Sequence, residues 1–128
     1  MRYACVDIGL KRIGLAVSLD LEIVSPQNAI LRKNRNQAAR ELDSFLQEWD
    51  IETLVVGIPM SGGSCEEMQR RIKHFVSLLK FDKRIVYQDE YGSSQEAKEM
   101  MKGITKQKRD GKIDSLAAKV ILERYLQK

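Results

Sequence analysis

Histidine and cysteine are scarce in this 128-residue sequence, which contains one histidine and two cysteines. His74 lies in an amphipathic segment beside Phe75, so Ser-His or Cys-His catalysis has little support. Cys5 and Cys65 lack the spacing of a metal site and do not suggest a disulfide framework. We therefore interpret both cysteines as reduced packing residues.

Long apolar runs are also absent, and no stretch approaches the length needed to cross a membrane. Asp7 interrupts the N-terminal apolar run too early for a secretory signal, so we expect a cytoplasmic protein. The length fits one domain spanning residues 1–128, without repeats or linkers. A net charge of +4 permits a polyanionic partner but does not require one.

The strand pattern predicts a mixed sheet. Three strands are expected at Arg2–Asp7, Ile13–Ser18 and Glu22–Leu31, close enough in sequence to form an antiparallel meander. Two more are expected at Thr53–Ile58 and Arg84–Gln88. After Thr53, the run Thr53–Ile58 is continuously apolar, as expected for a central strand that is covered on both faces.

Helices are expected between and after these strands. One is predicted near Asn36–Trp49, with Trp49 in the core, and a last one from about Asp114 to Leu126. Capping-box patterns at Ser64 and Ser93 predict two more helix starts. The fold class is therefore α/β, with a five-stranded sheet of order 3-2-1-4-5 and helices on both faces.

Three acids fall at the ends of predicted elements: Asp7, Glu90 and Asp114. Because functional residues of open sheets gather at the carboxyl ends of parallel strands, we expect these acids to converge. Close carboxylates repel one another unless cations hold them, and their hard oxygen atoms suit Mg²⁺ or Mn²⁺. Two such ions about 3.5–4 Å apart would support phosphodiester hydrolysis.

Each acid also has a simpler interpretation. Asp7 could be the polar end residue of an ordinary hairpin, and Asp114 could serve only as a helix N-cap. Glu90 could be a loop acid, with Asp89 equally able to point inward. The pattern of element ends alone leaves these alternatives open.

The turn after the first strand is a candidate phosphate contact. Gly9 would permit a positive φ or a close backbone approach, and Lys11 and Arg12 place cations beside it. We therefore expect all three to bind substrate.

The loop Gly57–Ser64 is a second candidate. It lacks the Gly-Lys-Ser/Thr ending of a Walker loop, which argues against nucleotide hydrolysis by that mechanism. Backbone N–H groups at Gly62 and Gly63, next to a helix N-terminus, could hold a nucleic-acid phosphate. A plain strand-to-helix connection is the alternative.

The basic segment Lys102–Lys112 is a third candidate, since it leads directly to Asp114. Lys106, Lys108 and Arg109 could form a mobile clamp on a phosphate backbone. A solvated loop is the equally weighted alternative.

Four motifs occur in order along nearly the whole chain. They are Asp7-Ile8-Gly9-Leu10-Lys11-Arg12-Ile13-Gly14-Leu15-Ala16-Val17-Ser18, Val55-Val56-Gly57-Ile58-Pro59 with Gly62-Gly63, Asp89-Glu90 with Ser93-Ser94, and Ile113-Asp114-Ser115-Leu116-Ala117-Ala118. Together they resemble the YqgF/RuvX family. The resemblance implies a ribonuclease-H-like fold and a metal-dependent nuclease with Asp7, Glu90 and Asp114 as catalytic acids and metal ligands. Ser93, in the third motif, is assigned to substrate binding.

The same resemblance implies a nucleic-acid substrate, described in the family as precursor 16S rRNA cut at its 5′ end or as a Holliday junction. We favour ribosomal RNA, with ribosomal particles as further partners and a monomer or weak homodimer as the assembly. One position departs from the family, which usually has Arg after the Asp-Glu pair. Here Tyr91 stands there and cannot hold a phosphate bidentately.

Two other functional classes remain as alternatives. An actin-like or sugar-kinase phosphotransferase also uses an Asp-x-Gly turn, but it needs two domains around its nucleotide. A catalytically silent nucleic-acid-binding or ribosome-assembly module could share the same fold.

Overall fold

Five strands and four helices occur in the part of the chain that the computed structural model describes, which is residues 1–20, 23–63, 65–101 and 111–127. The strands are β1 Tyr3–Ile8, β2 Arg12–Ser18, β3 Ser25–Leu31, β4 Thr53–Ile58 and β5 Arg84–Asp89. The helices are α1 Arg35–Glu48, α2 Cys65–Ser77, α3 Ser93–Met101 and α4 Gly111–Leu126. None of these helices is long and apolar enough to cross a membrane.

The sheet has the order β3-β2-β1-β4-β5, which confirms the predicted topology. β1 and β2 pair antiparallel, as do β2 and β3, so the first three strands form the predicted meander. β4 runs parallel to both β1 and β5. Every residue of β4 is buried, as its apolar sequence predicts for a strand inside the sheet.

The two faces of the sheet pack against different helices because strand side chains alternate between them. On one face, Ala4 and Val6 of β1 belong to the main core with residues of α1 and α2. On the other face, Cys5 joins a smaller core with Ile121 and Leu122 of α4. Asp7 lies two residues after Cys5 and therefore points to the α4 side.

Two helix starts differ from the predicted ones. α1 begins after the N-cap Asn34, whose side chain accepts a hydrogen bond from the Gln37 N–H at 2.8 Å in a capping box. α4 begins at Gly111, which places Asp114 inside the first turn. The N-cap interpretation of Asp114 is therefore wrong. The cap predicted at Ser64 lies outside the described residues.

Candidate active site

Asp7, Glu90 and Asp114 line one cleft of about 350 Å³. Asp7 reaches it from the end of β1, Glu90 from the position after β5, and Asp114 from the first turn of α4. The structure thus brings together three acids that are separated by most of the chain. Their neighbours in the wall include Gly9 and Ser93, which the sequence also singled out.

Two glycines make room for the acids around Asp7. Gly14 of β2 pairs directly with Asp7, and a Cβ atom there would overlap the backbone carbonyl of Asp114. Gly57 of β4 lies on the other side of Asp7, one residue after Val56, which pairs with Val6 of β1. A Cβ atom on Gly57 would lie 2.7 Å from the Cδ1 atom of Ile121 in α4 and 3.6 Å, an ordinary contact distance, from the Cβ atom of Glu90. The absence of side chains at both glycines therefore lets α4 pack closely on the strands beside Asp7.

A backbone contact fixes the first turn of α4 on β2. The pairing of β2 with β3 shifts register between Ile13 and Leu15, and the N–H of Leu15 donates to the Ser115 Oγ at 3.2 Å. Ser115 is buried and directly follows Asp114. The roles of Gly14 and Ser115 were not predicted from the sequence, although a glycine inside a strand often marks a bulge or a close backbone approach.

The side chains of Asp7 and Glu90 interact within the cleft. Two ionised carboxylates in such a place repel each other unless a proton or a cation lies between them. Burial raises the pKa of Glu90, the hydrogen bond to Asp7 opposes that rise, and the negative charge of Asp89 adds to it. The Glu90 backbone is also fixed, since its N–H donates to the Ile58 carbonyl at 3.1 Å.

Asp114 forms an ion pair with a cation at the edge of the sheet. The Nε of Arg12 lies 2.7 Å from the Asp114 Oδ2, and the Asp114 side chain is only 8% exposed. Binding of a phosphate by Arg12 stays a prediction. This ion pair could not be inferred from the sequence because the partners are 102 positions apart.

We predict that Arg12→Gln destabilises the fold by about 2 kcal/mol, because it takes a charged hydrogen-bond donor from the buried carboxylate of Asp114. Urea unfolding measures the effect. Lys11→Gln removes the same charge from the exposed neighbouring residue and should change stability by less than about 0.5 kcal/mol. Equal effects of the two substitutions would show that the ion pair does not stabilise the fold.

In the turn between β1 and β2, Gly9 allows a close approach of the backbone and does not adopt a positive φ. Among the described glycines, positive φ occurs at Gly62 and Gly92. A Cβ atom on Gly9 would lie 2.8 Å from the Arg12 carbonyl oxygen, which accepts the Gly9 N–H at 2.9 Å. Lys11 is exposed in the same turn.

The remaining predicted substrate contacts lie in different places. Gly62 and Gly63 are exposed and are not among the described residues that line the cleft, whereas Ser61 is. Ser93 is buried at the start of α3, where its N–H donates to the Glu90 carbonyl at 3.0 Å. Tyr91 also lines the cleft and is 77% exposed. Lys106, Lys108 and Arg109 lie outside the described residues, and their role stays a prediction.

Asp89, the alternative to Glu90, also lines the cleft. Its Oδ1 accepts the N–H of Tyr91 at 3.1 Å, so it supports the turn that follows β5. The Glu90 side chain, by contrast, interacts with that of Asp7. Glu90 is therefore the better candidate for a group that shares a cation with Asp7.

Cys5 and His74 are not among the described residues that line this cleft. Burial raises the pKa of the Cys5 thiol, and the charges of Asp7 and Glu90 raise it further. Such a thiol is neutral and unreactive, as expected for a packing residue. His74 is exposed on α2.

The donor atoms of the cleft suit a hard divalent cation at the Asp7–Glu90 pair. A cation there would offset the repulsion between the two carboxylates, since both offer oxygen ligands. Asp114 is held by Arg12 in this arrangement. Within the described residues, no group of three or more Asp, Glu, His or Cys side chains is placed to hold one ion. A cation would therefore fit the Asp7–Glu90 pair, with Asp114 in the same cleft.

Comparison with known proteins identifies relatives over the full chain. A family model described as RuvX, Holliday junction resolvase, matches residues 1–128. A Sulfurovum sp. (strain NBC37-1) protein named "Putative pre-16S rRNA nuclease" is 67% identical over 126 residues, covering 98% of each chain. A protein of the same name from Sulfurimonas denitrificans is 52% identical over 127 residues, covering 99% of this chain and 98% of the relative.

Solved structures share the fold at low sequence identity. RuvC of T. thermophilus in complex with a Holliday junction substrate superposes with a TM-score of 0.60 at 12% identity, covering 99% of this chain and 95% of that chain. The fowlpox virus Holliday junction resolvase superposes with a TM-score of 0.58 at 14% identity, covering 99% of each chain. The fold is thus that of RuvC-like resolvases, which confirms the ribonuclease-H-like architecture.

Proposed function

Because the chain belongs to the RuvX family, we propose that it is a metal-dependent nuclease that cuts precursor 16S rRNA near its 5′ end. The observation that carries this proposal is that Asp7, Glu90 and Asp114 line one cleft. The name of the relatives that are 67% and 52% identical supports the choice of RNA. Nucleic acid is the expected partner, within precursor ribosomal particles.

Asp7 and Glu90 would hold Mg²⁺ or Mn²⁺, with Asp114 as a further acid at the same cleft. When bound, the cation would activate a water molecule and stabilise negative charge on the phosphate. Asp7 and Glu90 would hold the cation as carboxylates, since metal ligands must be deprotonated. Arg12 fixes the position of Asp114 through the 2.7 Å ion pair.

The rest of the chain keeps these groups in place. The Glu90 N–H donates to the Ile58 carbonyl, which ties the end of β5 to the end of β4. The side chain of Gln69 donates to the Pro59 carbonyl at 2.6 Å and holds the β4–α2 loop beside the cleft. Rigid elements therefore present the acids, as positioning of a scissile phosphate requires.

The direct test is cleavage by the purified protein of a precursor 16S 5′ leader RNA and a four-way DNA junction, side by side, with Mg²⁺ or Mn²⁺. We expect metal-dependent cleavage of the leader. Cleavage of the junction but not of the leader would instead favour a resolvase, which the description of the family model supports. Binding of either substrate without cleavage would favour the silent binding module.

A further inference from the structure

A second concave surface adjoins the cleft and is strongly basic. This groove of about 460 Å³ lies between the β1–β2 turn, the start of α1 and one face of α2. We call it the arginine groove; its cationic wall consists of Arg32, Arg35, Arg70 and Arg71, with His74 beside them. Ile8, Gly9 and Met68 line both the groove and the cleft, so the two surfaces are continuous.

One arginine of the groove is held rigidly. Arg32 donates from Nη1 to the Gly9 carbonyl at 2.6 Å, and its guanidinium lies 5.1 Å from the centre of the Phe75 ring. The carbonyl belongs to the turn that also borders the cleft. Arg32 therefore fixes the wall that the two surfaces share.

Two other arginines present positive charge that the protein itself does not balance. Arg71 pairs with Glu67 at 2.7 Å. Arg35 and Arg70 are exposed, and within the described residues neither has a carboxylate partner. The Nη1 of Arg35 lies 3.4 Å from the Nδ1 of His74, a ring nitrogen that supplies no negative charge. Clustered like charges repel one another, so an anion in the groove would be bound favourably.

We infer that the arginine groove binds the phosphate backbone of the nucleic-acid strand that flanks the bond held in the cleft. This inference rests on the proposed nuclease function for the identity of the strand. A strand that enters the cleft meets the groove across the shared residues Ile8, Gly9 and Met68. Guanidinium groups bind phosphate in two-pronged geometry, and successive phosphates can engage successive arginines. An acidic peptide would match the charge of the groove, but only a nucleic-acid strand would also bring a phosphodiester bond to the cation proposed for the cleft.

The test compares two double variants that each remove two positive charges. Arg35→Gln with Arg70→Gln changes the groove, whereas Arg40→Gln with Arg84→Gln changes exposed arginines that line neither surface. Binding of a fluorescein-labelled precursor 16S 5′ leader RNA is followed by anisotropy in EDTA, so that cleavage does not interfere. For the wild type, Kd rises as the salt concentration is raised from about 50 to about 200 mM. Because the groove variant has lost two phosphate contacts, we expect its rise in Kd over that range to be smaller by about tenfold.

The control variant should keep nearly the salt dependence of the wild type. If both double variants weaken binding equally, the effect is that of net charge, and the groove inference is wrong. Loss of polyglutamate binding in the groove variant without any loss of RNA binding would point to an acidic protein partner and overturn it as well.

Failure of this inference can be told apart from failure of the proposed function. If the wild type cuts the leader and the groove variant binds RNA like the control variant, the groove inference is wrong and the nuclease function stands. If the wild type cuts nothing but binds RNA through Arg35 and Arg70, the nuclease function is wrong and the groove stands as a nucleic-acid-binding surface.

Discussion

Asp7→Asn is expected to lower the single-turnover rate of leader cleavage at least about a thousandfold, because it removes one of the two carboxylates that would share a cation. Asparagine keeps the size of the side chain and much of its hydrogen bonding. Affinity for the RNA should stay the same or rise slightly, since the cleft then repels phosphate less. Rapid-quench cleavage and anisotropy titration measure the two quantities separately.

The matched control for this substitution is Asp82→Asn, an identical chemical change at an exposed residue outside the cleft. It should cut at the wild-type rate. If Asp7→Asn also cuts at the wild-type rate, the nuclease assignment fails and a binding module becomes the better description. A parallel loss of RNA affinity would instead assign Asp7 to substrate binding.

Gly14→Ala is expected to have the second largest effect, although it adds a single methyl group. Its Cβ would overlap the backbone carbonyl of Asp114, which no side-chain rotation can relieve. α4 must therefore move away from β2, and Asp114 with it. We expect a loss of about 3 kcal/mol in stability, which is roughly 10 °C in Tm, together with reduced cleavage.

Gly63→Ala provides the control for the added methyl group, because nothing lies within 4 Å of a Cβ atom at that exposed position. Its Tm should stay within a few degrees of the wild type. Calorimetry of the two variants decides the question. A Gly14→Ala protein as stable as Gly63→Ala would mean that the close approach of α4 to β2 is not required.

The sheet topology was predictable because its determinants are local. The meander follows from three strands joined by short connections, and the run Thr53–Ile58 is apolar at every position but the first, as a strand covered on both faces requires. The ends of helices were harder to predict, because Asn34 is one of several polar residues that could cap α1. The same difficulty led to the incorrect N-cap interpretation of Asp114.

The gathering of Asp7, Glu90 and Asp114 was predictable from their positions at element ends and from the family resemblance. The details around them depend on tertiary contacts that no local pattern contains. The ion pair of Arg12 with Asp114 joins residues far apart in sequence, so the sequence showed only a basic turn. The role of Gly14 likewise becomes visible only when α4 lies against β2.

The arginine groove was missed for a related reason. Its cations come from the residue after β3, from the first residue of α1 and from α2, none of which is close in sequence to the β1–β2 turn. In the sequence each arginine looks like part of a solvated helix face or loop. Only the folded chain places them in one concave surface beside the acids.

Binding of the catalytic cation at the Asp7–Glu90 pair is tested most directly by anomalous X-ray scattering from crystals grown with Mn²⁺. We expect an anomalous peak in contact with the carboxylates of Asp7 and Glu90, and its loss in the Asp7→Asn protein. A protein that cuts the leader RNA while its Mn²⁺ binds away from both acids would show that the catalytic cation lies elsewhere.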